Sequence, residues 1–286
     1  MMNARIHVGA FAVAIIRWTS LSGLLICMNP LQANQLELSV GIVPQQSATE
    51  LARDWIPLLQ EVAARSGVRL QFKTAPDIPT FEDRLKRGDY DLAYMNPYHY
   101  TVFSKAPGYR AFAKEKDRRL VGIIVVAKTS TATNIKQLAG KTVAFPAPAA
   151  FAASILPRAE FSRTEVPIVA KFVTSHDSVY RGVAQGLFAA GGGIKRTFEA
   201  IDPVVSSNLR ILTTTPSYVP HAFAGHPRVE PAVVDKVMMA FTSLENDEAG
   251  RKVLGTLSFK GVTAAVDSEW NEIRKLKIEQ TTGRQP

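Results

Sequence analysis

Four stretches of this 286-residue chain gather hydrogen-bonding or small residues where a strand-like run passes into a helix-like one, and chemistry would concentrate there. In Pro44-Gln45-Gln46-Ser47-Ala48-Thr49 the polar side chains of Gln46 and Ser47 can meet a ligand, or a hydroxyl can cap the next helix. Tyr94-Met95-Asn96-Pro97-Tyr98-His99-Tyr100 packs three tyrosines, an asparagine and a histidine into seven residues, with donors carried on rigid amphipathic rings. Tyr94, Asn96 and Tyr98 are its ligand candidates. From Phe145 to Ser154 a strand runs through a loop into a helix start, where free amides and the helix dipole suit an oxyanion near Ala150, Phe151, Ala152 and Ser154. In Thr174-Ser175-His176-Asp177-Ser178, His176 either donates to an anion or sits in the core, and Asp177 either caps a helix or joins the ligand. Gly191-Gly192-Gly193 allows close backbone approach, with Gly192 the candidate contact. It is not a phosphate loop of the nucleotide-binding kind, because the Gly-Lys-Ser/Thr ending is missing.

Catalytic spacing is missing from the same inventory. There is no His-Glu-x-x-His and no Gly-x-Ser-x-Gly, and the neighbours His176 and Asp177 face different ways on any regular element. A binding protein is expected rather than an enzyme, with no catalytic residue and no cofactor. No metal site is expected either, since His99 and His176 fall in different predicted lobes without supporting carboxylates. The formal charge of +9 favours anionic partners. The basic residues are scattered, and the densest group, Lys114 to Arg119, is interleaved with acids, so nucleic acid is not an expected partner.

The positioning elements follow from periodicity. Arg5, an apolar run from Val8 to Ile16, Arg17 and a second apolar run from Trp18 to Met28 read as a secretory leader over residues 1–33. Arg17 splits the stretch below the length of a membrane span. The single cysteine, Cys27, lies in that leader, and Leu24-Leu25-Ile26 before it lacks the small residue of a lipid-attachment site. A mature chain would then carry neither a disulfide nor a cysteine nucleophile. After the leader, alternation over Leu36–Val43, helical spacing of Leu51, Trp55, Leu58, Leu59 and Val62, and buried strands near Tyr90 and over Leu120–Ala127 predict a β-α-β-α-β-α-β order. That order implies a mainly parallel sheet. A second unit of the same kind spans 128–213, and C-terminal helices return to cover the first. The expectation is an α/β chain of two lobes: residues 34–127 with the return segment 214–286, and 128–213. A ligand cleft would lie between them and hinges near Ala127-Lys128-Thr129 and Thr214-Thr215-Pro216.

Taken in order, Val43-Pro44 with Ser47, Gly88-Asp89-Tyr90-Asp91-Leu92-Ala93-Tyr94-Met95-Asn96-Pro97, Leu138-Ala139-Gly140-Lys141-Thr142-Val143-Ala144-Phe145, and Ser175-His176 resemble the PhnD-like family of substrate-binding proteins of phosphate, phosphite and phosphonate ABC transporters. The resemblance spans about residues 36–245. It implies a type II periplasmic binding fold, periplasmic location, a monomer that closes on a small anionic ligand, and an inner-membrane permease as partner; a subunit reporting to a membrane sensor kinase is the alternative. It also implies an anion site built from a helix N-terminus with Tyr94, Tyr98 and His176 as donors. Two departures stand out. The family's Ser/Thr-rich turn reads Ala149-Ala150-Phe151-Ala152-Ala153, leaving backbone amides alone. The family's Gly-x-x-Asp reads Gly186-Leu187-Phe188-Ala189, with no acid to pair with an aminoalkyl group.

Overall fold

Two sheets divide the chain, and which strand joins which is decided by the turns between them. A computed structural model describes residues 36–278, so the leader reading and Cys27 fall outside the described residues. The strands are β1 (Glu37–Ile42), β2 (Arg69–Lys73), β3 (Leu92–Met95), β4 (Arg110–Glu115), β5 (Leu120–Ala127), β6 (Thr142–Phe145), β7 (Val169–Phe172), β8 (Ala190–Ile194), β9 (Leu209–Tyr218), β10 (Ala222–Gly225) and β11 (Val262–Ala264). The first sheet has the order β11-β4-β10-β3-β1-β2, and the second β7-β6-β8-β5-β9.

Helices connect the parallel strands. They are α1 (Ala48–Ser66), α2 (Ile78–Arg87), α3 (Pro97–Phe103), α4 (Leu156–Arg163), α5 (His176–Ala184), α6 (Lys195–Ala200), α7 (Pro203–Ser206), α8 (Pro231–Ser243), α9 (Glu248–Thr256) and α10 (Asn271–Arg274). In α1 the predicted periodic residues Leu51, Trp55, Leu58, Leu59 and Val62 are the buried face. Ser47 starts this helix in a reciprocal capping box with Glu50, a device worth ~1 kcal/mol. Gly67 ends it in the left-handed conformation at φ 71°. The C-terminal helices α8 and α9 pack on α1, covering the first sheet.

The expectation of a mainly parallel first sheet holds only for β1, β2 and β3. β10 runs antiparallel between β3 and β4, and β11 antiparallel beside β4. These three strands have three to six residues and no turn signature strong enough to mark them in the sequence.

A second difference concerns β5. The apolar run Leu120–Ala127 pairs antiparallel with both β8 and β9, so it belongs to the second sheet and not to the first. Between β4 and β5 there is only a short turn, with Asp117 at φ 52°, and no crossover helix to bring the chain back parallel into the same sheet. The chain therefore passes between sheets at 116–119 and returns at 219–221, about ten residues before the first expected hinge and a few after the second.

Candidate functional site

Each of the four motif stretches lies where the two sheets face each other, but with different roles. Phe151–Ile155 forms a wide, π-helical turn that runs directly into α4. The carbonyl of Ala150 accepts from both Ser154 N–H at 2.7 Å and Ile155 N–H at 3.2 Å. Pro157, which has no N–H to donate, follows at the start of α4, and the wider turn carries the helix into it. The turn sits against β5 and β8: a Cβ on Gly122 would lie 2.3 Å from the carbonyl oxygen of Ala152, and one on Gly192 would lie 2.1 Å from that of Ala153. Gly192 thus seats the turn.

Around this turn the structure gathers uncharged hydrogen-bonding groups from both sides. Gln45, Asn96, His176 and His221 line a hollow of about 10 Å³ together with Ala150–Ala152. Contacts cross between the sheets here. Asn96 Nδ2 donates to the carbonyl of Ala149 at 3.1 Å, and the His176 N–H donates to the carbonyl of Gln45 at 3.3 Å. Arg196 donates to Gln45 Oε1 at 2.9 Å, and Gln45 Nε2 lies 3.1 Å from His221 Nε2. An amide nitrogen can only donate, so His221 accepts at Nε2 and carries its proton on Nδ1. His176 is 1% exposed, its Nδ1 is 3.2 Å from the Thr197 hydroxyl, and burial with the nearby Arg196 charge depresses it to about 3. It is a neutral imidazole at physiological pH.

The other sequence candidates are placed as follows. Ser47 is exposed and caps α1, and Gln46 is half-buried outside the lining, whereas its neighbour Gln45 enters. Tyr94 is buried one layer back, stacked on His221 at 4.9 Å with 15° between rings, and hydrogen-bonded with Arg196. Tyr98 is 5% exposed within the core of the first sheet. Ser154 is fully buried and its hydroxyl has no hydrogen-bond partner among the described residues. Asp177, in the first turn of α5, hydrogen-bonds with Glu50 of α1, and burial beside that second carboxyl pushes it up to about 6. Among the described residues no cluster of His, Cys, Asp or Glu is arranged to hold a metal.

Gln45, His221 and Arg196 are not among the ligand candidates of the sequence reading. Gln45 sits in the flagged polar junction. Arg196 lies three residues after the triple glycine, and that position is its one local signal. His221 carries no local signal, because only the return of the chain into β10 brings it beside Tyr94.

Two α/β lobes facing across a cleft define the class of periplasmic binding proteins with the type II fold, and the comparisons agree. Residues 40–270 match the family described as ABC transporter, phosphonate, periplasmic substrate-binding protein, and the chain belongs to this family. A phosphate-import protein PhnD of Mycolicibacterium smegmatis is 21% identical over 241 residues, covering 73% of this chain and 72% of that protein. A phosphonates-binding periplasmic protein of Escherichia coli is 26% identical over 49% of this chain and 41% of that one. Among solved structures, a binding protein component of an ABC phosphonate transporter from Pseudomonas aeruginosa superposes with a TM-score of 0.79 at 16% identity, covering 85% of this chain and 86% of its own. PhnD1 from Prochlorococcus marinus, in complex with methylphosphonate, superposes at 0.77 and 20% identity over 85% and 99%.

Proposed function

We propose that this protein is the extracytoplasmic receptor of an ABC importer, and that it captures a small phosphonate-, phosphite- or phosphate-like oxyanion between its lobes and delivers it to a membrane permease. The leader over residues 1–33 would export it, and it would act as a monomer. The lobes we assign are 36–115 with 222–278, and 120–218, hinged on the two crossovers.

The observation that carries this reading is the helix start at Phe151–Ile155. The first amides of a helix have no acceptor within it and carry its positive dipole end. Here they adjoin a chamber whose other walls mix apolar side chains with the uncharged hydrogen-bonding groups of Gln45, Asn96, His176 and His221, drawn from both lobes. Neutral hydrogen-bond donors hold an anion without fixing it in a buried ion pair, which suits a site that must also release. The chamber as it stands has room for about one water, so capture requires the lobes to stand further apart around the ligand. Phe151, in the turn where the resemblance implies Ser/Thr hydroxyls, is 1% exposed and packs edge-on against Tyr218 at 5.6 Å. The ligand would therefore be small.

The test is a thermal-shift series of the purified protein with methylphosphonate, phosphite, phosphate and sulfate. A ligand at 100 times its Kd adds about 2.7 kcal/mol of stability. A rise in Tm with one oxyanion, lost in His176→Ala, supports the reading; no rise with any of them overturns it.

A further inference from the structure

Asn96 joins the lobes beside the π-helical turn, and every polar atom of its side chain is engaged. It is 4% exposed. Oδ1 accepts from the His99 N–H at 2.8 Å and so caps α3. Nδ2 donates across the lobes to the carbonyl of Ala149 at 3.1 Å, and it lies 3.2 Å from His99 Nε2. Ala149 directly precedes Ala150, whose carbonyl opens the turn. The setting of the Asn96 amide therefore reaches the proposed anion seat through one hydrogen bond.

His99 stands behind that amide, fully buried, and its Nε2 is claimed twice. An amide nitrogen only donates, so toward Asn96 the ring must accept at Nε2 and carry its proton on Nδ1. Glu82 of α2 places Oε1 3.5 Å from the same Nε2, at the outer limit of a hydrogen bond. As a carboxylic acid, Glu82 can donate to Nε2 and agrees with Asn96. As a carboxylate, it calls for a proton on Nε2, and an Nε2–H would meet the Asn96 amide donor against donor. The form that Asn96 requires has a cost of its own. Nδ1 has no hydrogen-bond partner among the described residues, so a proton there is buried and unmet. That cost narrows the gap between the two ring forms, and a change at Glu82 can reverse them. Facing the pair are the rings of Phe81 on α2 and of Tyr98 and Phe103 on α3, the Asp83 carboxyl beside Glu82, and His221 of the return segment, which burial depresses. Burial and the Asp83 charge push the Glu82 carboxyl up to about 8.

We propose that His99 and Glu82 are positioning residues of the binding site: the Glu82 proton selects the His99 tautomer, and the tautomer decides whether Asn96 holds Ala149 and, with it, the closed lobes. This rests on the oxyanion reading and adds to it a determinant that the ligand does not touch. Folding raises Glu82 above its ordinary 4.5, so the acid form is the folded one. The clasp is present below pH 8 and is lost as the pH rises through that value. Oxyanion affinity should follow it.

Two measurements test this. Nitrogen-15 shifts of the His99 ring, read without ligand from about pH 6.5 to 9.5, report which ring nitrogen carries the proton. Wild type should pass from the Nδ1–H to the Nε2–H form near pH 8. Glu82→Gln, whose amide nitrogen donates to Nε2 at any pH, should keep the Nδ1–H form throughout. Isothermal titration with methylphosphonate then compares the two proteins at each pH, which cancels the ionisation of the titrant itself. Between pH 7 and 9.5 wild type should lose roughly fivefold in affinity relative to Glu82→Gln, the worth of one hydrogen bond. Asn96→Asp, which keeps the cap on α3 but has no N–H to give Ala149, should bind more weakly than wild type at pH 7. A His99 tautomer that is the same at every pH, or the same in both proteins, overturns the proposal, and so does an affinity ratio that is constant with pH. If wild type binds no methylphosphonate at pH 7, the oxyanion reading fails instead, and the ring shifts alone decide whether Glu82 sets the tautomer.

Discussion

His99 and His176 are both held near 3 by burial, and His221 is depressed by burial and the Arg196 charge. His99 and His176 stay uncharged in the folded chain at any pH above 5, while an unfolded histidine takes a proton near 6.5. Their contribution to stability is complete above 6.5 and is lost as the pH falls toward 3. Asp177 works in the opposite sense. Its folded value of about 6 lies above the ordinary 3.8, so its protonated form is favoured by folding. That contribution is present below 3.8 and is lost as the pH rises through 6. Above pH 6 two carboxylates, Glu50 of α1 and Asp177 of α5, face each other across the lobes. Asp177→Asn should therefore raise Tm at pH 8, by about 2–4 °C for each kcal/mol recovered, and change little at pH 4. Calorimetry at the two pH values checks this, and an equal shift at both would remove Asp177 as the source.

Among the elements, the π-helical turn depends on the glycine strand beneath it. A methyl group at Gly192 would stand 2.1 Å from the Ala153 carbonyl, a backbone atom with no freedom to swing aside. Gly192→Ala should cost about 1–3 kcal/mol and displace the amides of Phe151–Ala153. Thermal melts should show the loss, and oxyanion affinity should fall more than tenfold; unchanged affinity would mean the turn is not the anion seat. These elements differ in how far the sequence discloses them. Helix α1 is legible to the residue, because its apolar spacing, the Ser47–Glu50 box and Gly67 are all local. The turn motif is legible as a helix start, and Gly192 as a point of close approach. Ser47 reads equally as ligand contact or cap, since a hydroxyl satisfies either role, and its exposure decides for the cap. The sheet to which β5 belongs is not legible, because Leu120–Ala127 is equally apolar for either sheet. The absence of a crossover helix before it is the physical signal, and it shows only once β4 is recognised. His221 reaches its place through chain return and burial, which no spacing encodes.

At the scale of the molecule, side-chain and backbone bonds from Asn96, Gln45 and Arg196 tie the lobes together beside the chamber, and only two short crossovers connect them covalently. Such a chain is built to hinge, with arrangements separated by a few kcal/mol. Small-angle scattering should show the radius of gyration falling toward about 18 Å when methylphosphonate saturates the protein. A radius unaffected by saturating ligand would rule out hinge closure as the capture step. The two crossovers also mean that the second lobe is inserted within the first along the chain, and that β10, at Ala222–Gly225, fills the slot between β3 and β4. Until β10 is in place, β3 and β4 each present an unpaired edge, the kind of surface that recruits other strands. The first lobe must therefore wait, through the length of the second, for its central strand to emerge. A chain delivered N-terminus first passes through that interval with both of those edges open.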